Sequence, residues 1–448
     1  MTELLKKYDV PAPRYTSYPT VPYWSDSPTM AQWLEELKKA CSPKDMNWSM
    51  YVHLPFCETL CTFCGCNTTI TRNHNKERGY LDLLLKEFTT YLEKVPELKD
   101  RRLRQLHLGG GTPTFFSVEH LHELVEQILK NLNVDLKEFD GSIEVDPRRT
   151  KAEQLKALYD LGFRRVSMGV QDFDPKVQRL INRIQPYEMT EKLTREARDM
   201  GYSSVNYDLI YGLPKQELAS FEDTIERTLK LKPDRIALYS FAKVPWIKPA
   251  QRLFKDEDLP EGAEKRALYE RAYELLTVGG YREIGMDHFA LPHDDLSKSL
   301  ESGGLHRNFM GYTEMRTSVL LGIGVSAISE TPTCFHQNEK VLPVYERKVG
   351  EGDIPTLRGH LLSADDQFFR EQILKFMTQS QVELKDDKQV EDVRIFLQPL
   401  IEDGLVILEG RVLMVPESGR PFLRNACMAL DQRLRSKNPD TQIFSSAM

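Results

Sequence analysis

The stretch SMYVHLPFCETLCTFCGC, residues 49–66, joins a strand-like apolar run to a loop that carries four of the seven cysteines of the chain. Within it, Cys57, Cys61 and Cys64 have the spacing C-x3-C-x2-C. Three thiolates on one short loop can hold three irons of a [4Fe–4S] cube and leave the fourth iron open to chelate a substrate. The stretch therefore predicts a buried strand followed directly by a cluster-binding loop.

Other uses of these cysteines have less support in the sequence. Zinc sites usually combine two C-x2-C units, and the remaining cysteines stand alone along the chain: Cys41, Cys334 and Cys427. His53 and His107 could complete a tetrahedral set, so zinc stays open as an alternative. A thioredoxin-like C-x-x-C pair would leave two cysteines of the loop unexplained. An odd, sparse set of cysteines argues against a disulfide framework.

Composition bounds the class of protein. The chain has 448 residues, 40% hydrophobic and 28% charged, which is typical of a globular protein with two or three domains. We find no run of 18 apolar residues and no secretory signal at the N-terminus, and expect no membrane partner and a reducing, cytoplasmic location. The net charge of −7 argues against a nucleic-acid-binding surface.

From about residue 48 the sequence alternates strand-like and amphipathic helical segments six times. This alternation predicts parallel strands joined by right-handed crossovers. We therefore predict an α/β fold, a partial (β/α)6 barrel of the TIM type. A closed eight-stranded barrel is the competing geometry, because YREIGMDHF and VLLGIGVSAI could supply further strands. In both cases the chemistry belongs at the carboxyl ends of the strands.

Chemically informative residues follow the predicted strands at their carboxyl ends. The segment GGGTPT, residues 109–114, lets backbone groups approach a polar ligand without interference from a Cβ atom, although a tight turn would use it equally well. Single polar or small residues occupy the same position on later strands: Glu144, Gln171, Asp208 and Ala242. Arg183, on a predicted helix, is either a surface residue or a two-pronged ligand for a carboxylate.

The two ends of the chain differ from its centre. Residues 1–35 are rich in proline and predict an extended arm that gains stability only by lying on the body. We assign residues 36–330 to the catalytic barrel, 331–362 to a connector and 363–448 to a mainly helical domain with a hairpin about Glu409 and Gly410, whose last helix spans residues 419–435. This last domain has 11 basic and 14 acidic residues, so it does not predict a DNA-binding winged helix.

Several segments together resemble one family. They are RYTSYPT, YVHLPFC, CTFCGCN, LHLGGGTPT, IEVDPR, SMGVQDF, VQRLINR, DLIYGLPKQ, GMDHFA, LHRNFMGYT and GVSAIS. Over essentially its full length the chain is similar to the oxygen-independent coproporphyrinogen III oxidases of the radical S-adenosylmethionine (SAM) superfamily. The resemblance implies oxidative decarboxylation of two propionates of coproporphyrinogen III to vinyl groups, giving protoporphyrinogen IX in haem biosynthesis. The chemistry also requires a reducing electron donor that the sequence does not identify. The sequence leaves the oligomeric state open, and we expect a monomer.

The resemblance further implies roles for individual residues. Cys57, Cys61 and Cys64 would bind one [4Fe–4S] cluster, with Cys66 as a nearby thiol; Cys66 and Tyr51 are the candidate catalytic side chains. Two SAM molecules are expected. The contacts of the first would be Tyr51, Phe63, Gly110, Glu144 and Ile328. The contacts of the second would be Gly111, Thr112, Gln171, Arg183, Asp208 and Ala242.

A substrate with four carboxylates requires cations. Arg14, Arg307 and His288 are the candidates, from RYTSYPT, LHRNF and GMDHFA, although each could equally be an ordinary surface or core residue. Tyr15 and Tyr18 suggest that the arm acts as a lid over the pocket.

Three alternatives stay open at this point. A related haem chaperone would bind haem and a cluster without decarboxylation, but Cys66 and the N-terminal arm favour the enzyme. An RNA-modifying radical enzyme would carry a basic appended domain, which the acidic C-terminal region does not supply. A zinc-stabilised interaction protein would lack iron and sulfide.

Overall fold

A twelve-stranded sheet forms the centre of the computed structural model, which describes residues 2–246, 248–260 and 262–436. Seven adjacent strands are parallel, in the order β7-β1-β2-β3-β4-β5-β6. Their bounds are β1 Asn47–Leu54, β2 Arg102–Gly110, β3 Asp140–Val145, β4 Phe163–Gln171, β5 Ser204–Tyr211, β6 Arg235–Ser240 and β7 Val319–Ile323. The carboxyl ends of all seven strands thus meet at one edge of the sheet.

Helices connect these strands in the alternation that the sequence predicts. Their bounds are α1 Lys76–Lys94, α2 Val118–Leu129, α3 Ala152–Asp160, α4 Tyr187–Met200, α5 Leu218–Leu231 and α6 Ala263–Val278, with a short helix Pro175–Leu180 before α4. Local sequence sets their ends: the Ser117 side chain accepts a hydrogen bond from the His120 N–H at the start of α2, and Gly201 ends α4 at φ +99°.

The main core lies between these helices and the sheet. Its largest fully buried side chains include Trp33, Trp48 and Tyr91. The Trp33 indole donates to the Tyr91 hydroxyl at 3.0 Å, so two large apolar bodies are buried with their polar atoms satisfied. Burying each such side chain contributes on the order of 2–3 kcal/mol to the free energy of folding.

Among the described residues, the strand order of the central sheet runs from one edge strand to another. Antiparallel strands extend it beyond β7 (Ile328–Glu330, Cys334–Asn338 and Thr356–Leu361) and beyond β6 (His288–Ala290 and Arg282–Gly285). The predicted α/β fold with a partial barrel is confirmed. The two segments considered for a closed barrel lie at opposite sides of the parallel strands, since VLLGIGVSAI supplies β7 next to β1 and YREIGMDHF supplies the antiparallel pair next to β6.

The N-terminal arm is less extended than predicted. It begins with a helix, Thr2–Tyr8, has a single turn at Val21–Tyr23, and leads into the helix Met30–Cys41. The first helix ends before Pro11, so the prolines do not interrupt it. The second starts with a capping box between Thr29 and Gln32, and the boundary predicted after residue 35 falls inside it.

The C-terminal region combines helices with a small sheet. Helices Ala364–Gln379 and Asp387–Glu402 pack with three antiparallel strands, Gln381–Glu383, Ile407–Glu409 and Val412–Met414. The single helix expected over residues 419–435 is wrong. The chain forms short turns instead: Glu417–Phe422, Leu423–Cys427, Met428–Leu430 and Gln432–Ser436. Pro421 interrupts the backbone hydrogen bonds, and the Asp431 side chain starts a new turn by accepting from the Leu434 N–H.

The remaining elements are short. They are the parallel pair Phe56–Cys57 and Thr69–Ile70, the antiparallel pair His306–Asn308 and Gly311–Thr313, the helices Glu97–Asp100, Asp295–Ser302 and Leu342–Gly350, and single turns at Pro113–Phe115, Pro249–Leu253 and Asp256–Asp258. In the part of the chain that the structure describes, none of the helices combines the length and apolar character needed to span a bilayer.

Candidate active site

The cluster loop leaves the carboxyl end of β1. Cys57 lies in the short strand that pairs with Thr69–Ile70, and its sulfur lies 3.3 Å from the Thr112 hydroxyl. Cys57, Cys61 and Cys64 are half-buried free thiols, and Cys66 is exposed. The far side of the loop is held by backbone contacts, since the Thr62 N–H donates to the Ile181 carbonyl at 3.1 Å. The loop is thus fixed on both sides while its thiols stay partly accessible.

The thiols are close enough to influence one another. Burial raises the pKa of Cys57 to about 11; the hydrogen bond with Thr112 opposes this shift, and the neighbouring Cys64 and Cys61 add to it. At Cys64 a hydrogen bond with Cys66 lowers the pKa, which favours the thiolate there. The three cysteines of the motif therefore share one electrostatic environment, with Cys66 next to them.

Two guanidinium groups approach the sulfur of Cys61. Arg148 Nη2 lies 3.6 Å and Arg183 Nη1 lies 3.7 Å from Cys61 Sγ. Asp146 holds both arginines, at 2.7 Å from Arg148 Nη2 and 3.2 Å from Arg183 Nη1. Although burial opposes ionisation, Arg183 and Arg148 lower the pKa of Asp146. This arrangement puts positive charge beside a sulfur that is expected to carry negative charge.

These residues fit an iron–sulfur cluster. Among the described residues, no three histidine, cysteine, aspartate or glutamate side chains converge as one metal ion requires. A tetrahedral zinc ion would draw its sulfurs to within about 4 Å of each other. A cube carries one metal at each of several corners, so its ligand sulfurs stand further apart. Three free, half-buried thiols on one fixed loop, with cations at one of them, could bind three irons of such a cube.

The glycine turn after β2 lies against the cluster loop. The Gly111 N–H donates to the Leu54 carbonyl at 2.8 Å, and the Thr112 N–H donates to the Phe56 carbonyl at 3.0 Å. A Cβ atom on Gly111 would lie 2.6 Å from the Pro55 carbonyl oxygen, so the close approach of the two loops requires glycine here. Gly110 has φ +115°, which turns its N–H towards Glu144.

Glu144, Tyr51 and their histidine neighbours form one polar group next to this turn. Glu144 accepts from the Gly110 N–H at 3.1 Å and contacts His107 Nε2 at 3.3 Å. Burial opposes its ionisation, but His107 outweighs this effect and lowers the pKa of Glu144. The Tyr51 ring stacks on His107 with ring centres 5.9 Å apart, and its hydroxyl contacts His53 Nδ1 at 3.0 Å. An ionised carboxylate thus faces the space beside the cysteines.

Asp208 and Gln171 lie further along the same edge. Asp208 accepts from Asn206 Nδ2 at 2.9 Å and from the Ser167 hydroxyl at 3.2 Å. Burial, followed by the charge of Glu144, raises the pKa of Asp208 to about 7. Gln171 adopts φ +68°, a conformation uncommon for a side chain of this kind, at the point where β4 ends. Arg183 Nη2 donates to the Gly169 carbonyl at 2.6 Å and so reaches this group as well.

The remaining predicted contacts border these groups. Ile328 lies across Gly322, the β7 residue paired with Tyr51, and a Cβ atom on Gly322 would collide with the Ile328 carbonyl. Phe63 packs on the apolar cluster at the ends of β5 and β6 that contains Ile210 and Phe241, and Ala242 follows directly. The structure therefore brings the predicted site residues to one edge of the sheet.

Three residues that contribute to the site were not predicted from the sequence. Arg148 follows β3 by three residues and carried no predicted role, although its position in DPRR placed a cation at a strand end. His107 was considered only as a zinc ligand, yet it supports Glu144. Tyr239, on β6, has its pKa raised by burial and then by the charges of Asp208 and Asp287, so it links two parts of the site.

The predicted substrate-binding cations lie at the far end of this edge. Arg14 Nη1 contacts Asp287 Oδ2 at 3.3 Å, and Asp287 precedes His288 in the chain. Burial, followed by the charges of Arg307 and Arg14, lowers the pKa of His288 to about 3. The three candidates are therefore neighbours in space, although they come from three separate segments.

Comparison with known proteins gives a consistent result. Residues 51–228 match the model of the radical SAM superfamily. The oxygen-independent coproporphyrinogen III oxidase of Escherichia coli is 40% identical, with 97% of this chain and 95% of the relative covered. The enzyme of the same name from Pseudomonas aeruginosa is 37% identical, with 97% and 96% covered. A solved structure of the Escherichia coli coproporphyrinogen III oxidase, described as a radical SAM enzyme, superimposes with a TM-score of 0.89 at 40% identity, covering 94% of this chain and 98% of that one.

Proposed function

Because the chain belongs to the family of oxygen-independent coproporphyrinogen III oxidases, within the radical SAM superfamily, we propose that it oxidises coproporphyrinogen III without oxygen. Each of two propionate side chains loses a hydrogen atom to a carbon-centred radical, carbon dioxide, and one further electron to an electron acceptor, and so becomes a vinyl group, which gives protoporphyrinogen IX in haem biosynthesis. The observation that carries the proposal is identity of 37–40% along 97% of the chain to curated enzymes of this name. The haem-chaperone alternative is not favoured by these relatives.

The superfamily uses a [4Fe–4S] cluster and SAM, and the cluster loop supports the same assignment here. Cys57, Cys61 and Cys64 would hold three irons. When bound, the cluster and SAM supply a one-electron route to a carbon-centred radical that removes hydrogen from the propionate β-carbon. The contribution of the protein is to position the reactants and to keep water and oxygen away from them.

The side chains around the cysteines have distinct tasks in this proposal. Arg148 and Arg183 stabilise negative charge on the Cys61 sulfur, and the Thr112 hydroxyl stabilises it on Cys57. Glu144, whose pKa is lowered, offers an ionised acceptor for an ammonium or for ribose hydroxyls. Tyr51 and Cys66 are the proposed catalytic side chains, because both border the space between the thiols and Glu144; burial, followed by the charge of Glu144, raises the pKa of Tyr51.

We assign two SAM molecules to this edge. The first would lie against Tyr51, Phe63, Gly110, Glu144 and Ile328. The second would lie against Gly111, Thr112, Gln171, Arg183, Asp208 and Ala242. The support is their shared position at the carboxyl ends of the strands, with Glu144 and Asp208 as two separate carboxyl groups. Equilibrium dialysis of reconstituted protein should give two SAM per chain and one for Asp208→Ala. One SAM per wild-type chain would contradict the second assignment.

An anaerobic assay tests the proposed reaction. Reconstituted protein is incubated with a reductant, SAM and coproporphyrinogen III, and both 5′-deoxyadenosine and protoporphyrin are measured after oxidation of the products. We expect both to accumulate, and neither without SAM. Cleavage of SAM without a vinyl product would contradict the assignment of the substrate, and tight binding of haem in the same preparation would favour a chaperone.

The cellular setting follows from the same chemistry. We propose that the protein acts as a monomer in the cytoplasm and receives electrons from a reducing donor. The support is the need for a reduced cluster and for free cysteines, which a reducing compartment preserves. Size-exclusion chromatography with light scattering should give a mass near the 51.8 kDa of one chain, and twice that mass would contradict the monomer.

A further inference from the structure

Among the residues that the structure describes, Arg307 is a buried cation without a counter-ion. It lies on the strand His306–Asn308 and is 7% exposed. Within residues 2–246, 248–260 and 262–436, its Nε and Nη1 atoms have no hydrogen-bond partner. Its guanidinium lies 4.5 Å from the centre of the Tyr312 ring, which gives it a flat apolar support but no negative charge.

The other equally buried arginines are all paired. Arg235 contacts Asp294 at 2.8 Å, Arg183 contacts Asp146 at 3.2 Å, and Arg424 donates to the Pro13 carbonyl at 3.1 Å. Leaving a buried charge unpaired costs several kcal/mol by order of magnitude, so a fold retains one only where something offsets the cost. A ligand that brings negative charge would do so.

The imidazole of His288, which contacts the same Tyr312 ring, is a second buried polar group with an unsatisfied atom. Its Nδ1 atom is buried without a partner among the described residues, and its ring contacts Tyr312 edge-on, with centres 5.2 Å apart. Since burial, and then Arg307 and Arg14, lower the pKa of His288 to about 3, the ring is uncharged at neutral pH and has one N–H to donate. Donors from two segments therefore converge without an acceptor.

The surroundings connect this pair to the proposed SAM region. The Tyr239 ring meets His288 edge-on at 5.8 Å, and the charge of Asp208 helps to raise the pKa of Tyr239 after burial. Arg14, from the N-terminal arm, reaches the same place and is paired with Asp287. Arg307 thus differs from Arg14 in being free to pair with a ligand.

We infer that Arg307 and His288 form a binding subsite for a carboxylate group of a bound small molecule. The inference deepens the proposed function and rests on it, because coproporphyrinogen III carries four carboxylates. The amino-acid carboxylate of SAM has the same chemistry and is the other source. In both cases a planar guanidinium would bind the two carboxylate oxygens through parallel N–H groups, with the imidazole donating a further hydrogen bond.

Ligand binding by full-length Arg307→Gln tests the inference without use of turnover. The probes are coproporphyrin III, the stable oxidised form of the substrate, followed by fluorescence, and SAM, followed by equilibrium dialysis on reconstituted protein. We expect affinity for one probe to fall about 10- to 100-fold, as for loss of a charged hydrogen bond. A fall for coproporphyrin III alone assigns the subsite to a propionate, and a fall for SAM alone assigns it to the amino-acid carboxylate.

Two comparisons make the result specific. Arg316→Gln changes an exposed arginine close by in the chain and should leave both affinities unchanged. The thermal midpoint of ligand-free Arg307→Gln should equal or exceed that of the wild type, because an unpaired buried charge has been removed. A lower midpoint with both affinities unchanged would show that Arg307 serves the fold and would overturn the inference.

Wild-type turnover keeps the two hypotheses apart. If the wild type fails to convert coproporphyrinogen III, the proposed function fails whatever Arg307 does. If the wild type turns over and Arg307→Gln binds both probes as tightly as before, the carboxylate subsite fails and the proposed function stands.

Discussion

At the scale of single residues, the contacts of Cys61 distinguish it from the other cysteines of the cluster loop. Arg148 and Arg183 both lie within 3.7 Å of its sulfur, and Asp146 fixes them there. Hydrogen bonds and positive charge at a ligand sulfur stabilise the more negative, reduced form of an iron–sulfur cluster. These arginines should therefore make the cluster easier to reduce.

We predict that Arg148→Gln lowers the midpoint potential of the reconstituted cluster, because one positive charge leaves the Cys61 sulfur. The measurement is a dye-mediated redox titration followed by electron paramagnetic resonance. The matched control is Arg149→Gln, since Arg149 is paired with Glu58 at 2.9 Å. Equal potentials for wild type, Arg148→Gln and Arg149→Gln would contradict a role for Arg148 at the cluster.

A cysteine series separates ligands from a neighbouring thiol. Serine at Cys57, Cys61 or Cys64 should remove most of the iron and sulfide from anaerobically reconstituted protein, because two thiolates do not retain the cube. Cys66→Ser should keep both, since Cys66 is the exposed thiol of the loop. Iron and sulfide analysis checks the series. Loss of iron from Cys66→Ser, or retention in all three of the others, would mean that the ligands are assigned wrongly.

The residue types of the site could be predicted from sequence, but their contacts could not. The C-x3-C-x2-C spacing predicted the three thiols, and the strand ends predicted Glu144 and Asp208. The pairing of Arg148 with Asp146 depends on a turn after β3 that leaves both side chains pointing at another loop. Among the described residues, Arg307 has buried atoms without a hydrogen-bond partner because of how distant segments pack around it. A local sequence pattern holds no information about such packing.

At the scale of elements, helix α1 positions the loop that follows β7. Glu87 is fully buried and accepts from the Gly324 N–H at 2.9 Å, from Asn338 Nδ2 at 2.7 Å and from the Tyr345 hydroxyl at 2.6 Å. Two turns earlier on α1, the Tyr80 hydroxyl accepts from the Val325 N–H at 2.9 Å. This loop leads to Ile328, so α1 fixes one border of the site from behind.

The buried Glu87 predicts a dependence of stability on pH. Burial raises its pKa to about 7 despite these hydrogen bonds. The folded state then binds more protons than the unfolded state between about pH 4.5 and 7, so stability falls as pH rises through this window, by ~3 kcal/mol in total. Thermal midpoints of wild type and Glu87→Gln should therefore diverge with pH. Parallel pH profiles for the two proteins would contradict the assignment.

The prediction of helices and strands was correct where the apolar periodicity was strong. It failed where prolines and capping side chains determine the ends of a helix. The six strand–helix units follow from alternating apolar runs long enough to identify. The helix Thr2–Tyr8 was missed because the prolines after it dominated the interpretation of the arm. Residues 419–435 have helical spacing, yet Pro421 and the capping side chain of Asp431 divide them into short turns.

At the scale of the whole molecule, the N-terminal arm joins the sheet to the C-terminal region. Tyr8 and Tyr18 lie in the apolar cluster of that region, and Tyr15 donates to Asp431 at 3.3 Å. Ser25 pairs with Gly359 through two backbone hydrogen bonds of 3.1 Å, which attach the arm to an edge strand of the main sheet. Arg14 lies between these two attachments, beside the proposed carboxylate subsite.

We predict that deletion of residues 1–28 abolishes turnover and lowers the thermal midpoint by several °C, while iron content is retained. The deletion ends before the Thr29 cap, so that Trp33 and the helix Met30–Cys41 are kept. Removal of the arm uncovers buried tyrosines and takes Arg14 from the subsite, but it leaves the cluster loop in place. Retained turnover would refute a lid role for the arm, and loss of iron would show that the arm supports the cluster.

The central claim is that three cysteines hold an iron–sulfur cube with one iron left for SAM. Mössbauer spectroscopy of oxygen-free, reconstituted wild-type protein, recorded with and without SAM, tests it most directly. We expect a [4Fe–4S] cluster in which one iron site differs from the other three and changes its signal when SAM is added. A spectrum without a cube, or a cube with four equivalent irons that SAM leaves unchanged, would contradict it.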